Sequence, residues 1–270
     1  MLGFVSRLFS FLGLTWCVWV AFLWVVQDAM VFPLTGVDTG RSWPSDAVIG
    51  SWESPDGAVL QHQSVFVDGE PLGTVVAFGG NGQDAGRLLS MLSLHLSGWD
   101  VVTIFPRGHG PSRGSPSADH LVSDALGVFD DLSDGFRGDV VVLGVSMGTG
   151  PASFVLSHKR VSGGVFITPF SRFVNVARRA APLAPVSLLF RHDMDAASAV
   201  SLSSKPVAVF RVSDDEVIPE SEGRDFVESV FNLIVSEVLP DQTHNSFWSH
   251  SDFWSDLEAA LLKVLYLSTR

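Results

Sequence analysis

The residues that could do chemistry begin with a serine in Gly144-Val145-Ser146-Met147-Gly148. The apolar run Asp139 to Leu143 precedes it and reads as a buried strand, and the segment that follows can start a helix. A serine on a tight strand-to-helix turn has its hydroxyl lifted clear of the sheet, with the first helical N–H groups aimed at the reacting atom. Such a turn leaves no room for side chains two residues either side, and glycine stands at both places. An ordinary strand-to-helix turn with a capping serine is the bland alternative. Further along, the apolar strand Pro206 to Val212 runs into Ser213-Asp214-Asp215-Glu216-Val217-Ile218-Pro219. A carboxylate just past a strand's carboxyl end lies on the rim where such sheets bind ligands. The acid-x-x-apolar-Pro pattern selects Asp215 over Asp214, which leaves Asp214 and Glu216 as solvated loop charges. A last strand, Leu233 to Leu239, precedes a polar loop, Pro240 to Asn245, that carries His244. His244 would take the proton from Ser146 and later give it to the leaving group, with the acid fixing its tautomer.

The sequence has eight histidines. His62, His95, His120 and His158 fall inside expected strands or helices, His192 in an expected lid, and His250 at the start of the last helix. Of these seven, His244 alone has the strand-then-loop position.

A tetrahedral intermediate needs backbone donors for its oxyanion. The N–H of Met147, next to the serine, is one candidate. The other is Asn81, in the glycine-rich loop Phe78-Gly79-Gly80-Asn81-Gly82 after the strand Thr74 to Phe78. This loop lacks the lysine and the spacing of the phosphate-binding and dinucleotide motifs, so nucleotide binding is set aside and no cofactor is expected.

The elbow, Asp215 with Val217-Ile218-Pro219, and His244-Asn245 resemble the α/β-hydrolase superfamily, whose chain order is serine, acid, histidine. Phe78 to Gly82 is similar to that superfamily's F-H-G-N-G oxyanion loop, and Arg107-Gly108-His109-Gly110-Pro111-Ser112 to its R-G-(aromatic)-G-x-S motif. Thr168-Pro169-Phe170-Ser171, Ala184 to Leu189 and His244-Asn245-Ser246-Phe247-Trp248 resemble the membrane-anchored bud-emergence-type branch, related to depalmitoylases and monoacylglycerol lipases. The resemblance runs from about Met30 onward. It implies an α/β fold and a serine esterase, lipase or thioesterase. Two positions depart from it. Gly79 stands where the family has histidine, and Phe105-Pro106 stands where Asp or Asn, then Tyr, often precedes R-G.

The elements that must position these residues alternate between strand and helix. Strands are expected near 47–53, 58–67, 73–79, 100–105, 139–145, 162–168, 206–212 and 232–239. Helices are expected near 84–97, 117–132, 147–158, 220–231 and 251–267. Apolar strands alternating with helices imply a mostly parallel eight-stranded sheet covered on both faces. Residues 170–204 interrupt the pattern as a lid-like insertion with short helices. Its apolar residues could bind an acyl chain or pack against the body.

Leu8 to Val26 is nineteen residues without a charge. As a helix it rises about 28 Å, near the hydrocarbon thickness of a bilayer. It is longer than the apolar core of a cleaved leader, and no small-x-small cleavage site follows. Leu14-Thr15-Trp16-Cys17 approximates a lipoprotein cleavage box, but Trp16 replaces the small residue before the cysteine. The expectation is an uncleaved anchor, residues 1–30, before a catalytic domain, residues 31–270. On this reading the anchor adds nothing to the core, and deleting it leaves a folded domain. Arg7 precedes the run and Asp28 follows it, which favours a cytoplasmic amino terminus and, in a bacterium, a periplasmic domain. Residues 32–46 would form a connector. Cys17 is the only cysteine, so no intramolecular disulfide exists. With 17 basic against 29 acidic residues the net charge is −12, which argues against nucleic acid as a partner.

Three functions fit: a membrane-anchored hydrolase of an ester or thioester, a peptidase with the same triad, and a hydrolase-like scaffold without turnover. The expected partners are a small-molecule or lipid acyl ester and, through the helix, the membrane.

Overall fold

The computed structural model describes residues 2–33 and 44–269. Most of the expected connector, residues 34–43, lies outside them.

Eight strands form one sheet: β1 (Val48–Glu53), β2 (Val59–Val65), β3 (Thr74–Phe78), β4 (Asp100–Ile104), β5 (Val140–Val145), β6 (Gly163–Ile167), β7 (Val207–Asp214) and β8 (Leu233–Thr243). Their spatial order is β1-β2-β4-β3-β5-β6-β7-β8. β2 pairs antiparallel with β1 and β4, and every pairing from β4 to β8 is parallel. Every residue of β3, β4, β5 and β6 is buried. That is why these strands read as mostly apolar runs rather than as alternating ones, with Thr74, Asp100 and Thr103 as their buried polar members.

Nine helices complete the described chain: α1 (Leu2–Val31), α2 (Ala85–His95), α3 (Ala118–Leu132), α4 (Thr149–His158), α5 (Phe173–Ala180), α6 (Val186–Leu189), α7 (Ala196–Ser201), α8 (Glu220–Ser229) and α9 (Phe253–Ser268). Two apolar clusters divide the core. One lies between the sheet and α3, α4, α7 and α8, and the other under α2 and α9. Helix starts follow their side-chain caps. Asp84 accepts from Arg87 N at 2.7 Å, and Ser117 accepts from His120 N at 3.1 Å.

Two elements differ from the sequence expectation. β8 continues to Thr243, past Pro240, instead of yielding to a loop there. It is the edge strand, and Pro240 falls in a register irregularity between the pairings Val212–Leu239 and Asp214–Thr243, where the regular ladder is interrupted. The 170–204 insertion contains a third helix, α7, capped by Asp195, which accepts from Ser198 N at 2.9 Å. α7 packs on the body, with Ala196 and Val200 fully buried, while α5 and α6 lie over the carboxyl ends of the strands.

α1 makes contacts that its composition does not announce. It is long and apolar enough to cross a membrane, by length and composition. Phe4 to Trp19 are all exposed. The end of the helix, however, docks on the insertion. Gln27 is only 7% exposed; its Nε2 donates to Leu189 O at 3.2 Å, and its Oε1 accepts from Arg191 N at 2.9 Å. Asp28 meets Arg191 and His192, each at 2.7 Å. The Arg191 guanidinium lies 4.8 Å above the Trp24 ring. Phe32, just past the helix, is 3% exposed within the main core cluster. The end of the helix is therefore tied to the lid by Gln27 and Asp28, and the chain enters the core only beyond residue 30, at Val31 and Phe32. An all-apolar run looks the same whether lipid or protein covers it, and only Gln27 and Asp28 mark the docked end.

Candidate active site

β5 ends at Val145, and Ser146 to Gly148 form one tight helical turn before α4. Ser146 has φ +50°, a left-handed conformation that costs a non-glycine residue energy and is held by its surroundings. A Cβ at Gly144 would lie 2.8 Å from Ala152 Cβ, and one at Gly148 only 2.0 Å from Phe78 O. Glycine is obligatory at both places because β3 and α4 close onto the turn. Thr168, after β6, and Asp241, in β8, also have positive φ, at 46° and 53°. All three strained residues sit at or beyond the carboxyl ends of the strands.

The structure brings Ser146, His244 and Asp215 together. Ser146 Oγ lies 2.8 Å from His244 Nε2. His244 Nδ1 lies 2.9 Å from both Asp215 carboxylate oxygens. Ser146 and His244 are nearly enclosed, at 9% and 5% exposed. Asp215 Oδ1 also accepts from the N–H groups of Val217 and Ile218, at 3.0 and 2.7 Å, which fixes the carboxylate toward the ring. Asp214 instead accepts from the Ser213 hydroxyl at 2.7 Å. In this arrangement the serine hydroxyl donates to Nε2, and Nδ1–H donates to the carboxylate.

Glu216 is not the free loop charge that its neighbours suggested. The His244 N–H donates to its carboxylate at 3.0 Å, so the β7 loop holds the histidine by backbone as well as ring. No sequence signal marks this contact, since it depends on how two loops meet.

Met147 is the second residue of the helical turn, among the first N–H groups, which have no intrahelical acceptor. Asn81 lines the same cavity as Ser146 and Met147. The neighbouring Gly80 N–H donates to Gln83 Oε1 at 2.8 Å, and the Asn81 N–H has no acceptor among the described residues. The departure at Gly79 has a local reason. A Cβ there would lie 3.2 Å from Gln83 Oε1 and 3.4 Å from Leu88 Cδ2. The Gln83 side chain thus braces the loop in this chain.

The R-G-H-G-P-S segment is structural. Buried Arg107 forks onto Asp124 at 2.7 and 2.8 Å and also pairs with Asp56. These carboxylates push the guanidinium pKa up, and Arg107 holds Asp56 well below the usual carboxylate range. Ser112 Oγ donates to Phe105 O and accepts from Gln61 N, each at 2.8 Å. No cluster of three or more metal-ligating side chains occurs among the described residues.

Two cavities meet at Ser146. One, of about 280 Å³, is walled almost wholly by apolar side chains of α1, α5 and α6, and contains Ser146, Met147 and Asn81. The other, of about 840 Å³, is more polar and is lined by Gln83, Arg87, His244 and Trp248.

Residues 69–187 match the family model described as serine aminopeptidase, S33. The matched span contains Asn81, Ser146 and Met147 and ends before Asp215 and His244. Among solved structures, the esterase Pf2001 of Pyrococcus furiosus superposes with a TM-score of 0.63 at 18% identity, over 82% of this chain and 91% of that one. Est1E of Butyrivibrio proteoclasticus, solved with ferulic acid, gives 0.65 at 15% identity, over 79% and 98%. The Exiguobacterium antarcticum esterase EaEST gives 0.60 at 16% identity, over 79% and 98%. No curated protein matches the sequence. The fold is that of the α/β hydrolases. The family match over the segment carrying Ser146, set on this fold, supports a serine hydrolase.

Proposed function

We propose that this chain is a membrane-anchored serine hydrolase that cleaves an ester or thioester through an acyl-enzyme. The observation that carries the reading is the unbroken line from Ser146 Oγ through His244 to Asp215, opening onto an apolar cavity on one side and a polar one on the other. Ser146 Oγ attacks the acyl carbonyl carbon as its proton passes to His244 Nε2. The oxyanion is held by the N–H groups of Met147 and Asn81, fixed before the charge develops. The C–O or C–S bond then breaks, and His244 Nε2 gives its proton to the departing alcohol or thiol. Water repeats the sequence on the acyl-enzyme, releasing the acid and restoring Ser146. Asp215 keeps Nδ1 protonated and stabilises the imidazolium throughout.

The two cavities favour an acyl ester. An acyl chain suits the apolar cavity, and a polar leaving group suits the other. In this reading α1 is the anchor, with a cytoplasmic amino terminus set by Arg7 and the catalytic domain on the opposite face, periplasmic in a bacterium. The bud-emergence-type branch is the relationship that best fits the anchor and the His244-Asn245-Ser246-Phe247-Trp248 segment. A peptidase is the second reading, favoured by the description of the matched family.

The test is fluorophosphonate labelling followed by a panel of acyl esters, thioesters and peptide amides. Ser146→Ala is expected to abolish labelling and ester hydrolysis together. Retention of wild-type labelling by that variant would refute the assignment, and turnover of amides alone would select the peptidase.

A further inference from the structure

We propose that the end of α1 is the acyl-binding wall of the active site, and that a single unbranched acyl chain reaches Ser146 sideways from the bilayer between α1 and the lid. This rests on Ser146 being the nucleophile, and it adds the substrate's path and the residues that measure its length.

Three observations carry it. Val20, Leu23, Trp24, Gln27, Met30 and Val31 all line the 280 Å³ cavity that contains Ser146. Their spacing of three, one, three, three and one residues keeps them on one stripe of a helix. A membrane helix that served only as a tether would have no reason to aim a stripe at the nucleophile. Opposite it stand Phe173, Val176 and Ala177 of α5 and Leu189 of α6. Gln27 satisfies its own polar groups at this wall by bonding Leu189 O and Arg191 N, and the rest of the α1 stripe is apolar.

The second observation is a length. The exposed part of the uncharged run, Leu8 to Trp19, is twelve residues and rises about 18 Å. The hydrocarbon layer is about 30 Å thick. The missing length, about 12 Å, must come from the docked part of the helix, so the adjoining lid edge enters the bilayer.

The third is the composition of that edge. Leu183 and Leu188 are 75% and 85% exposed, and the Trp16 indole N–H donates to Leu183 O at 2.9 Å. The lid is thus bound to the very stretch of α1 that lies in lipid. Exposed Arg178 and Arg179 lie on the same lid. Leucines in the acyl region beneath guanidinium groups at headgroup level make a membrane-facing surface. An acyl chain already in the bilayer then slides between the α1 stripe and α5 without crossing water.

The experiment uses full-length protein in phosphatidylcholine nanodiscs and p-nitrophenyl esters from acetate to palmitate. Filling the slot with Leu23→Trp should lower the ratio of kcat/KM for decanoate to that for acetate. The expected loss is about fifteenfold for each two methylenes excluded. Leu23→Ala should move the preferred chain length upward by one or two carbons. Phe22→Ala, on the opposite face of α1 and 60% exposed, should leave the ratio at the wild-type value. Fluorophosphonate labelling of each variant shows that it is folded. Labelled Leu23 variants with the wild-type chain-length profile overturn the acyl wall while leaving the hydrolase reading intact. Wild-type protein without Ser146-dependent labelling overturns both.

Discussion

Replacing Gln27 with leucine keeps the side-chain volume and removes two bonds between α1 and the lid. One partner is Leu189 O and the other is Arg191 N–H. Each lost bond contributes about 1 kcal/mol net, and more where the abandoned group stays buried. Gln27 is 7% exposed, so a total of about 2–3 kcal/mol is expected. The ion pair between Asp28 and Arg191 cannot compensate, because both side chains are well exposed and such pairs contribute less than about 1 kcal/mol. A change of 2–3 kcal/mol shifts the ratio of docked to undocked helix by roughly 30- to 150-fold. Hydrogen exchange of nanodisc-embedded protein reads this directly. The peptide spanning residues 186–192 should lose protection by about that factor in Gln27→Leu, while peptides from β5 and β6 keep theirs. Unchanged protection at 186–192 would mean that the helix is held by something other than these bonds, and the docking argument would fail.

Other outcomes follow from the site and the core. Asp215→Asn should lower ester turnover by up to about 10⁴-fold through the wrong histidine tautomer, and Asp214→Asn should change it little; kinetics of the two variants settle which carboxylate acts. Gly148→Ala puts a Cβ against Phe78 O and should cost about 1–3 kcal/mol of stability together with fluorophosphonate labelling. Gly135→Ala, where nothing lies within 4 Å, serves as the neutral comparison in the same thermal scans. Burial pushes the His62 imidazole pKa down, so the unfolded chain binds more protons than the folded one as pH falls below the ordinary imidazole value. Stability is therefore complete above that value and declines below it. His62→Gln should flatten this acid limb in melting curves taken across pH 4 to 7, and an unchanged slope would remove His62 as its source.

The strands and the elbow are legible in the sequence because one force dominates there. A strand covered on both faces must be apolar throughout, so Val140 to Val145 announces itself. The elbow glycines are dictated by contacts within a few residues or to the adjacent strand. Asp215 and His244 are legible by position, since each follows a strand whose end is forced to the same rim. The roles of Gln83 and Glu216 are illegible because each depends on a loop conformation that no local pattern encodes. The extension of β8 through Pro240 depends on that strand being the outermost, which is a property of topology. The docking of α1 is hidden for a different reason. Lipid and a protein lid select the same side chains, so hydropathy reports that water is excluded and not what excludes it.

The left-handed backbones of Ser146, Thr168 and Asp241 set the molecule against itself. Each costs on the order of 1–3 kcal/mol, and Thr168 is β-branched, which makes its strain harder to relieve. A lineage bred only for heat tolerance would drift toward glycine at these places, and Ser146→Gly would give a sturdier protein that has forgotten its chemistry. The strain at Ser146 is the energy spent on holding a hydroxyl clear of the sheet, and it is written in a single dihedral angle.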